Sequence, residues 1–303
     1  MAGRLLLLDT ASLYYRAFFG IPDSLTAPDG TVVNALRGMI DFTATLIGRD
    51  DAPEAVVACW DDDWRPQWRV DLVPSYKTQR LAEGSPTDGT GVEETPDLLA
   101  PQVPLIAEAL GLAGLAVIGA PEAEADDVIG TLAHRWDGPV DVVTGDRDLF
   151  QLVDDARPVR VLYTARGVAQ LDTVDAAWIR AKYGIEPASY VDYAVMRGDA
   201  SDGLPGVAGI GEKTAATLVN EFGGLDDILA AAQDEDSSIK PRPRASLLAS
   251  RDYVAAARTV VAVRTDLDVE VPSRPASPDR EALLAFGERW GVAGPVERLL
   301  AQL

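Results

Sequence analysis

The chain has 303 residues, 47% of them apolar, and 48 acidic against 27 basic side chains, a formal net charge of −21. This composition excludes a disordered polyelectrolyte and argues against a coat protein that wraps nucleic acid by bulk positive charge. One cysteine, Cys59, excludes a disulfide-stapled fold and fits a reducing compartment.

The chain opens MAGRLLLLDT, where Leu5–Leu8 forms a short apolar run ended by Asp9. That is too short for a signal peptide or a membrane span, so a soluble, cytoplasmic protein is expected. The run reads as a strand, and Ala35–Ile47 follows with helical spacing. Ala55–Trp60 is a second strand, with Asp61 after it. Leu81–Pro96 is rich in Gly, Ser, Thr, Pro and acids and reads as a loop, ahead of a helical stretch over Leu98–Leu110. Strand Leu115–Ile118 leads into helix Ala123–Trp136, which Glu124, Asp126 and Asp127 open. Strand Val140–Thr144 is followed by Asp146 and Asp148, and Val159–Tyr163 is a fifth strand. From about Pro187 the pattern is helical and broken by Gly and Pro, with another loop over Gln233–Pro243. Strand–helix alternation predicts an α/β fold with a mostly parallel central sheet and helices on both faces. The expected division is an α/β core over 1–185 and a mainly helical part over 186–303.

The acids fall where such a sheet would gather them. Asp9, Asp61, the Glu124–Asp126–Asp127 group and the Asp146–Asp148 pair each follow a different strand, and the C-terminal ends of parallel strands share one edge. Any one of them equally well caps a helix; seven at four strand ends point to a shared site. Crowded carboxylates raise one another's pKa, and hard divalent cations relieve this. With one Cys and one His, at position 134, a zinc site of nitrogen and sulfur ligands is excluded, which leaves Mg2+ or Mn2+. Two such ions suit phosphodiester cleavage. His134 reads as a surface residue and Cys59 as core, while Trp60, Trp64 and Trp68 share helical spacing that suits core packing or base stacking.

A second signal runs from Gly198 to Leu218. Asp199 and Asp202 precede Gly206-Val207-Ala208-Gly209-Ile210-Gly211-Glu212-Lys213-Thr214-Ala215, a Gly-punctuated turn into a helix. Backbone N–H groups at such a helix start, with a nearby Lys, bind phosphate without reading sequence. Lys240, Arg242, Arg244 and Arg251 equally make a phosphate-facing stripe or a solvated face.

The strings LLLDTASLYYRAF, Tyr76-Lys77-x-x-Arg80, EAEADDVIGTLA, TGDRDLFQLV and GDASDGLPGVAGIGEKTA, in this order, resemble the 5′-nuclease family. That family includes flap endonucleases and the 5′-exonuclease domain of bacterial DNA polymerase I. The resemblance implies a PIN-like core, a helical arch over about 74–110 and a helix-hairpin-helix over about 200–222. It places Asp9, Asp61, Glu124 and Asp126, with Asp127 close by, around a first metal, and Asp146, Asp148, Asp199 and Asp202 around a second. It implies that Tyr76, Lys77 and Arg80 lie on a basic arch helix beside the scissile phosphate, with Arg16 near the site. Gly206, Gly209, Gly211, Lys213 and Thr214 would grip DNA, around a K+ near the Val207 and Ile210 carbonyls. The implied function is a monomeric structure-specific 5′ nuclease. It would act on branched or 5′-flap DNA in replication and repair, with a DNA polymerase or ligase as candidate partner.

The sequence departs from the family at Trp60-Asp61-Asp62-Asp63-Trp64, where Asp62 or Asp63 could replace Asp61 as ligand, and at Gly203, where Asn is usual. A non-catalytic junction-binding protein of the same fold is the competing reading. A phosphatase using Asp9 as nucleophile fits poorly, because Asp9-Thr10-Ala11 lacks a second Asp two residues on.

Overall fold

A computed structural model describes residues 2–271 and 276–303. Six strands form one sheet: β1 Leu5–Asp9, β2 Ala55–Cys59, β3 Ala116–Ile118, β4 Val140–Thr144, β5 Val159–Tyr163 and β6 Asp172–Val174. Helices α1 Thr10–Gly20 and α2 Asn34–Ile47 separate the first two strands; α3 Gln67–Leu72 and α4 Gln102–Leu112 separate the next two. Helix α5 Ala125–Arg135 links β3 to β4, and α6 Ala176–Tyr183 and α7 Tyr190–Arg197 follow the sheet. The remainder is α8 Glu212–Phe222, α9 Leu225–Gln233, α10 Pro241–Ala249, α11 Arg251–Val261, α12 Arg280–Arg289 and α13 Ala293–Leu300. No described helix is long and apolar enough to cross a membrane.

The sheet order is β3-β2-β1-β4-β5-β6, parallel except for β6 against β5. Strand β1 lies in the interior of the sheet and is covered on both faces. Leu5 and Leu7 enter one core layer with Val57, Val128 and Val142; Leu6 and Leu8 enter the other with Leu36, Met39 and Ile106. An uninterrupted apolar run is what a strand buried on both faces requires. Strand β6, three residues with one buried, carries too little pattern to be read from sequence.

Two expectations are corrected. The segment 74–110 is not a helical arch. It contains a single 3-10 turn, Thr78–Arg80, then irregular backbone with one isolated bridge, Leu81 to Glu93, until α4 begins. Pro86 and Pro96, with Gly84, Gly89 and Gly91, deny this stretch a continuous helix. The loop is tied down by the buried Arg65, whose guanidinium donates to the carbonyls of Tyr76 at 2.6 Å and Thr87 at 3.2 Å. Among the described residues, 186–303 is mainly helical, as expected, but its last two helices do not pack with the others as one part. Leu283, Phe286, Val292, Val296 and Leu299 of the α12–α13 region pack on α2 and α4 and share a core layer with Leu36 and Met39. Apolar spacing marked these residues as helical but could not say against which layer they pack.

Candidate active site

The parallel register brings the C-terminal ends of β1, β2 and β4 to one edge, and the acids stand there. Asp9 ends β1 and caps α1: its carboxylate accepts from the Ser12 amide at 3.1 Å and the Thr144 hydroxyl at 2.6 Å. Asp61, just past β2, accepts from the Ala125 amide at 2.7 Å at the start of α5. Glu124 is the N-cap of α5, and Asp126 lies in its first turn. Asp146 follows β4 and accepts from the Asp148 amide at 2.8 Å. These five acids and Asp199 line a cavity of about 390 Å³, together with Tyr15, Lys77, Arg80, Glu93 and Arg147. A larger cavity of about 550 Å³, lined by His134, Arg157 and Arg180 among others, holds none of these acids.

The cluster is electrostatically uncomfortable. Burial, with Asp61 and Asp146 nearby, pushes Asp9 up to about 7, against the pull of its Thr144 hydrogen bond. Burial lifts Asp126 and Asp148 well above the carboxylate range, reinforced in both by Asp146. Asp61 and Asp202 rise for the same first reason, partly offset by Lys77. Asp148 also keeps a buried Oδ1 without a hydrogen-bond donor. The protein's own cations carry part of the load. Lys77 pairs with Glu124, Arg80 with Asp202 at 2.6 Å, and Arg197 and Arg147 with Asp199 at 3.1 and 3.4 Å. Among the described residues no three acids already close into a metal cage. An all-oxygen donor set, in which burial raises Asp9, Asp61 and Asp126, nevertheless fits a hard divalent cation, whose charge would favour their ionised forms.

The structure sorts the expected residues. Asp61 faces the cavity, while Asp62 packs beside Gly119 and Asp63 accepts from the Arg65 amide at 3.1 Å. Asp148 and Asp202 lie behind the wall at 9% and 7% exposure. Asp127 is a correction: it does not face the cavity. Three residues after Glu124 is the capping-box position, so Asp127 accepts from the Glu124 amide at 3.1 Å. Both its oxygens are also taken by Arg69, at 2.7 Å each, which holds its carboxyl below the usual range although burial pushes the other way.

Tyr76, Lys77 and Arg80 occupy a turn rather than a basic helix, with Lys77 in the left-handed region at φ +49°. Tyr76 is buried and its hydroxyl donates to Glu124 at 2.9 Å. Arg16 stands near Gly145, with its Nε buried and unpaired. The tryptophans do not share a helix. Trp60 lies against Tyr14, Trp64 lines the cavity, and Trp68 on α3 donates to the Glu122 carbonyl at 3.1 Å.

The Gly-rich string forms a tight turn into α8, with Gly211 as N-cap and Lys213 exposed in the first turn. Val207 and Ile210 are buried anchors, and the Ile210 amide donates to the Val207 carbonyl at 2.9 Å. The glycine at 203 has a physical reason. Its φ is +69°, and a Cβ there would stand 2.0 Å from the Ser75 carbonyl oxygen, so Asn could not fit without moving the Lys77 turn. Sequence reasoning missed Arg69, Arg147, Arg197 and Thr144. Arg147, between Asp146 and Asp148, carried a signal in its acidic neighbours; Arg69 carried none.

Two family models match the chain: "5′-3′ exonuclease, N-terminal resolvase-like domain" over residues 4–184 and "5′-3′ exonuclease, C-terminal SAM fold" over residues 185–280. The chain belongs to the 5′-3′ exonuclease family. This family member is 54% identical to a 5′-3′ exonuclease of Streptomyces coelicolor over 303 residues, covering 98% of this chain and 99% of that one. It is 49% identical to a 5′-3′ exonuclease of Mycobacterium tuberculosis over 312 residues, covering 99% and 97%. Its fold is similar to that of the bacteriophage T5 flap endonuclease in a pseudo-enzyme-product complex with DNA and metal ions. That match has a TM-score of 0.62 and 17% identity, over 99% of this chain and 98% of that one.

Proposed function

We infer that this exonuclease-family member is a divalent-metal-dependent, structure-specific 5′ nuclease that removes 5′ flaps and shortens 5′ ends of DNA. The observation that carries this is the cavity at the sheet edge, where seven acids meet Lys77, Arg80 and Arg147. Mg2+ or Mn2+ suits the oxygen-only donors. Asp9, Asp61, Glu124 and Asp126 would hold one ion, and Asp146, Asp148, Asp199 and Asp202 a second. When bound, a pair of such ions supplies an activated water and neutralises charge on the leaving oxygen. The chain's own residues do the rest. Lys77 and Arg80 now balance Glu124 and Asp202. With the acids engaged by cations, both side chains become donors for the scissile phosphate and for charge that builds on it during cleavage. Tyr76 holds Glu124 in orientation from its buried side. The turn at Gly206–Gly211, with Lys213 and Thr214, grips duplex backbone beside the junction, and a K+ would be held there by the Val207 and Ile210 carbonyls.

The direct test is a 5′-flap duplex labelled on the flap strand, incubated with Mg2+ or Mn2+ and then with EDTA. Metal-dependent flap release, with a matched 3′-flap left intact, is expected. Flap binding without cleavage under either metal would leave only a junction-binding protein.

A further inference from the structure

Arg69 stays off the cavity wall, at 2% exposure, yet touches what holds the site together. Its guanidinium makes two parallel bonds of 2.7 Å to Asp127 and stands 3.3 Å from the Glu124 carboxylate. Its Nε donates to the Val260 carbonyl at 3.1 Å, and its Cζ lies 4.4 Å from the Trp68 ring centre. Asp127 completes the node by accepting from the Glu124 amide at 3.1 Å and the Arg264 amide at 2.9 Å. The approach to Glu124 is pinned as well. Glu122 is in the left-handed region at φ +53°, and Trp68 holds its carbonyl.

Val260 lies at the end of α11. Near the other end, the Tyr253 hydroxyl accepts from the Gly206 amide at 3.0 Å, at the start of the Gly-rich turn. Seven helical residues span about 10 Å. One helix therefore joins the turn to the Arg69–Asp127 pair, and the pair joins directly to Glu124. A bidentate buried pair fixes direction as well as charge.

We propose that Arg69 and Asp127 are positioning residues. They orient Glu124 toward the cavity's cation, and through α11 they tie that orientation to the seating of the hairpin on duplex DNA. This rests on the nuclease reading above, so the test has an arm that does not need cleavage. Asp127→Asn keeps the size of the side chain and removes its charge pairing. Mn2+ affinity of the DNA-free protein, read by paramagnetic resonance of free Mn2+, is expected to weaken about 10–100-fold. Single-turnover flap cleavage should slow at sub-saturating metal, with unchanged flap affinity in EDTA. Arg69→Lys, which keeps the charge but loses the fork, should fall between wild type and Asp127→Asn, and it serves alone if Asp127→Asn does not fold. Wild-type Mn2+ affinity in the folded variants overturns the positioning role. Tyr253→Phe tests the helical link. It should slow cleavage, and combined with Asp127→Asn it should slow it by less than the product of the two effects. No slowing, or fully multiplicative slowing, overturns the link. If wild type cleaves no flap with any metal, the nuclease reading fails while the Mn2+ comparison still decides the role of the pair.

Discussion

Asp9 has both oxygens engaged by the fold at the edge of the cavity. It caps α1 through Ser12, takes the Thr144 hydroxyl, and still lines the cavity. Its burial sets the sign of a pH effect. Its pKa is raised from 3.8 to about 7, so between those values the folded protein binds more protons than the unfolded chain. That contribution to stability is complete below the lower value and is lost as pH rises through the upper one. Asp126, Asp148 and Asp202 act with the same sign. Metal-free protein is therefore expected to melt lower at about pH 8 than at about pH 5, and Asp9→Asn should stabilise it at the higher pH by about 1–3 kcal/mol. Calorimetry with chelator present checks this; a melting point that rises over that interval and ignores Asp9→Asn would contradict it. Asp9, Asp61, Glu124, Asp126 and Asp146 were legible in the sequence because each follows a strand, and parallel strands leave their ends on one edge; Glu93, in the irregular stretch before α4, follows none and was not legible. Asp127 was misread for the converse reason. Its spacing from Glu124 suits a shared site and a capping box equally, and its partner Arg69 lies 58 residues away in the chain, where no local pattern reaches.

At the level of elements, β1 to β5 and α2 and α5 were legible within a few residues, because buried strands and amphipathic helices impose their period on the sequence. The arch was not, since a motif match says which residues are present and not whether the prolines and glycines after them permit a helix. The fate of α12 and α13 was not legible either: amphipathicity gives a helix an apolar face without naming its partner. These helices extend beyond the family-model match, which ends at residue 280, yet they complete the layer under α2. Phe286 is 5% exposed in that layer. Phe286→Ala is expected to destabilise the whole protein by about 3–5 kcal/mol, in one cooperative transition. Denaturant unfolding followed at both a core tryptophan and overall helicity would show it. A loss below about 1 kcal/mol would mean the two helices are peripheral.

Across the whole molecule, a net charge of −21 coexists with a site meant for a polyanion. Cations placed at the cavity and the hairpin, and metal ions neutralising the carboxylates, resolve that conflict locally while the rest of the surface stays acidic. Binding of DNA should accordingly be steeply salt-dependent and stronger with divalent metal than in chelator. The acids at the sheet edge are proposed to hold the metal ions that cleave the strand. Single-turnover cleavage of a 5′-flap duplex by wild type, Asp126→Asn and Asp62→Asn tests this most directly, with flap binding in EDTA measured alongside. Asp126→Asn should lose about 100-fold or more in rate while still binding the flap, and Asp62→Asn, outside the cavity, should cleave as wild type does. Undiminished cleavage by Asp126→Asn, or equal losses in both variants, would mean that these acids do not hold the catalytic metal.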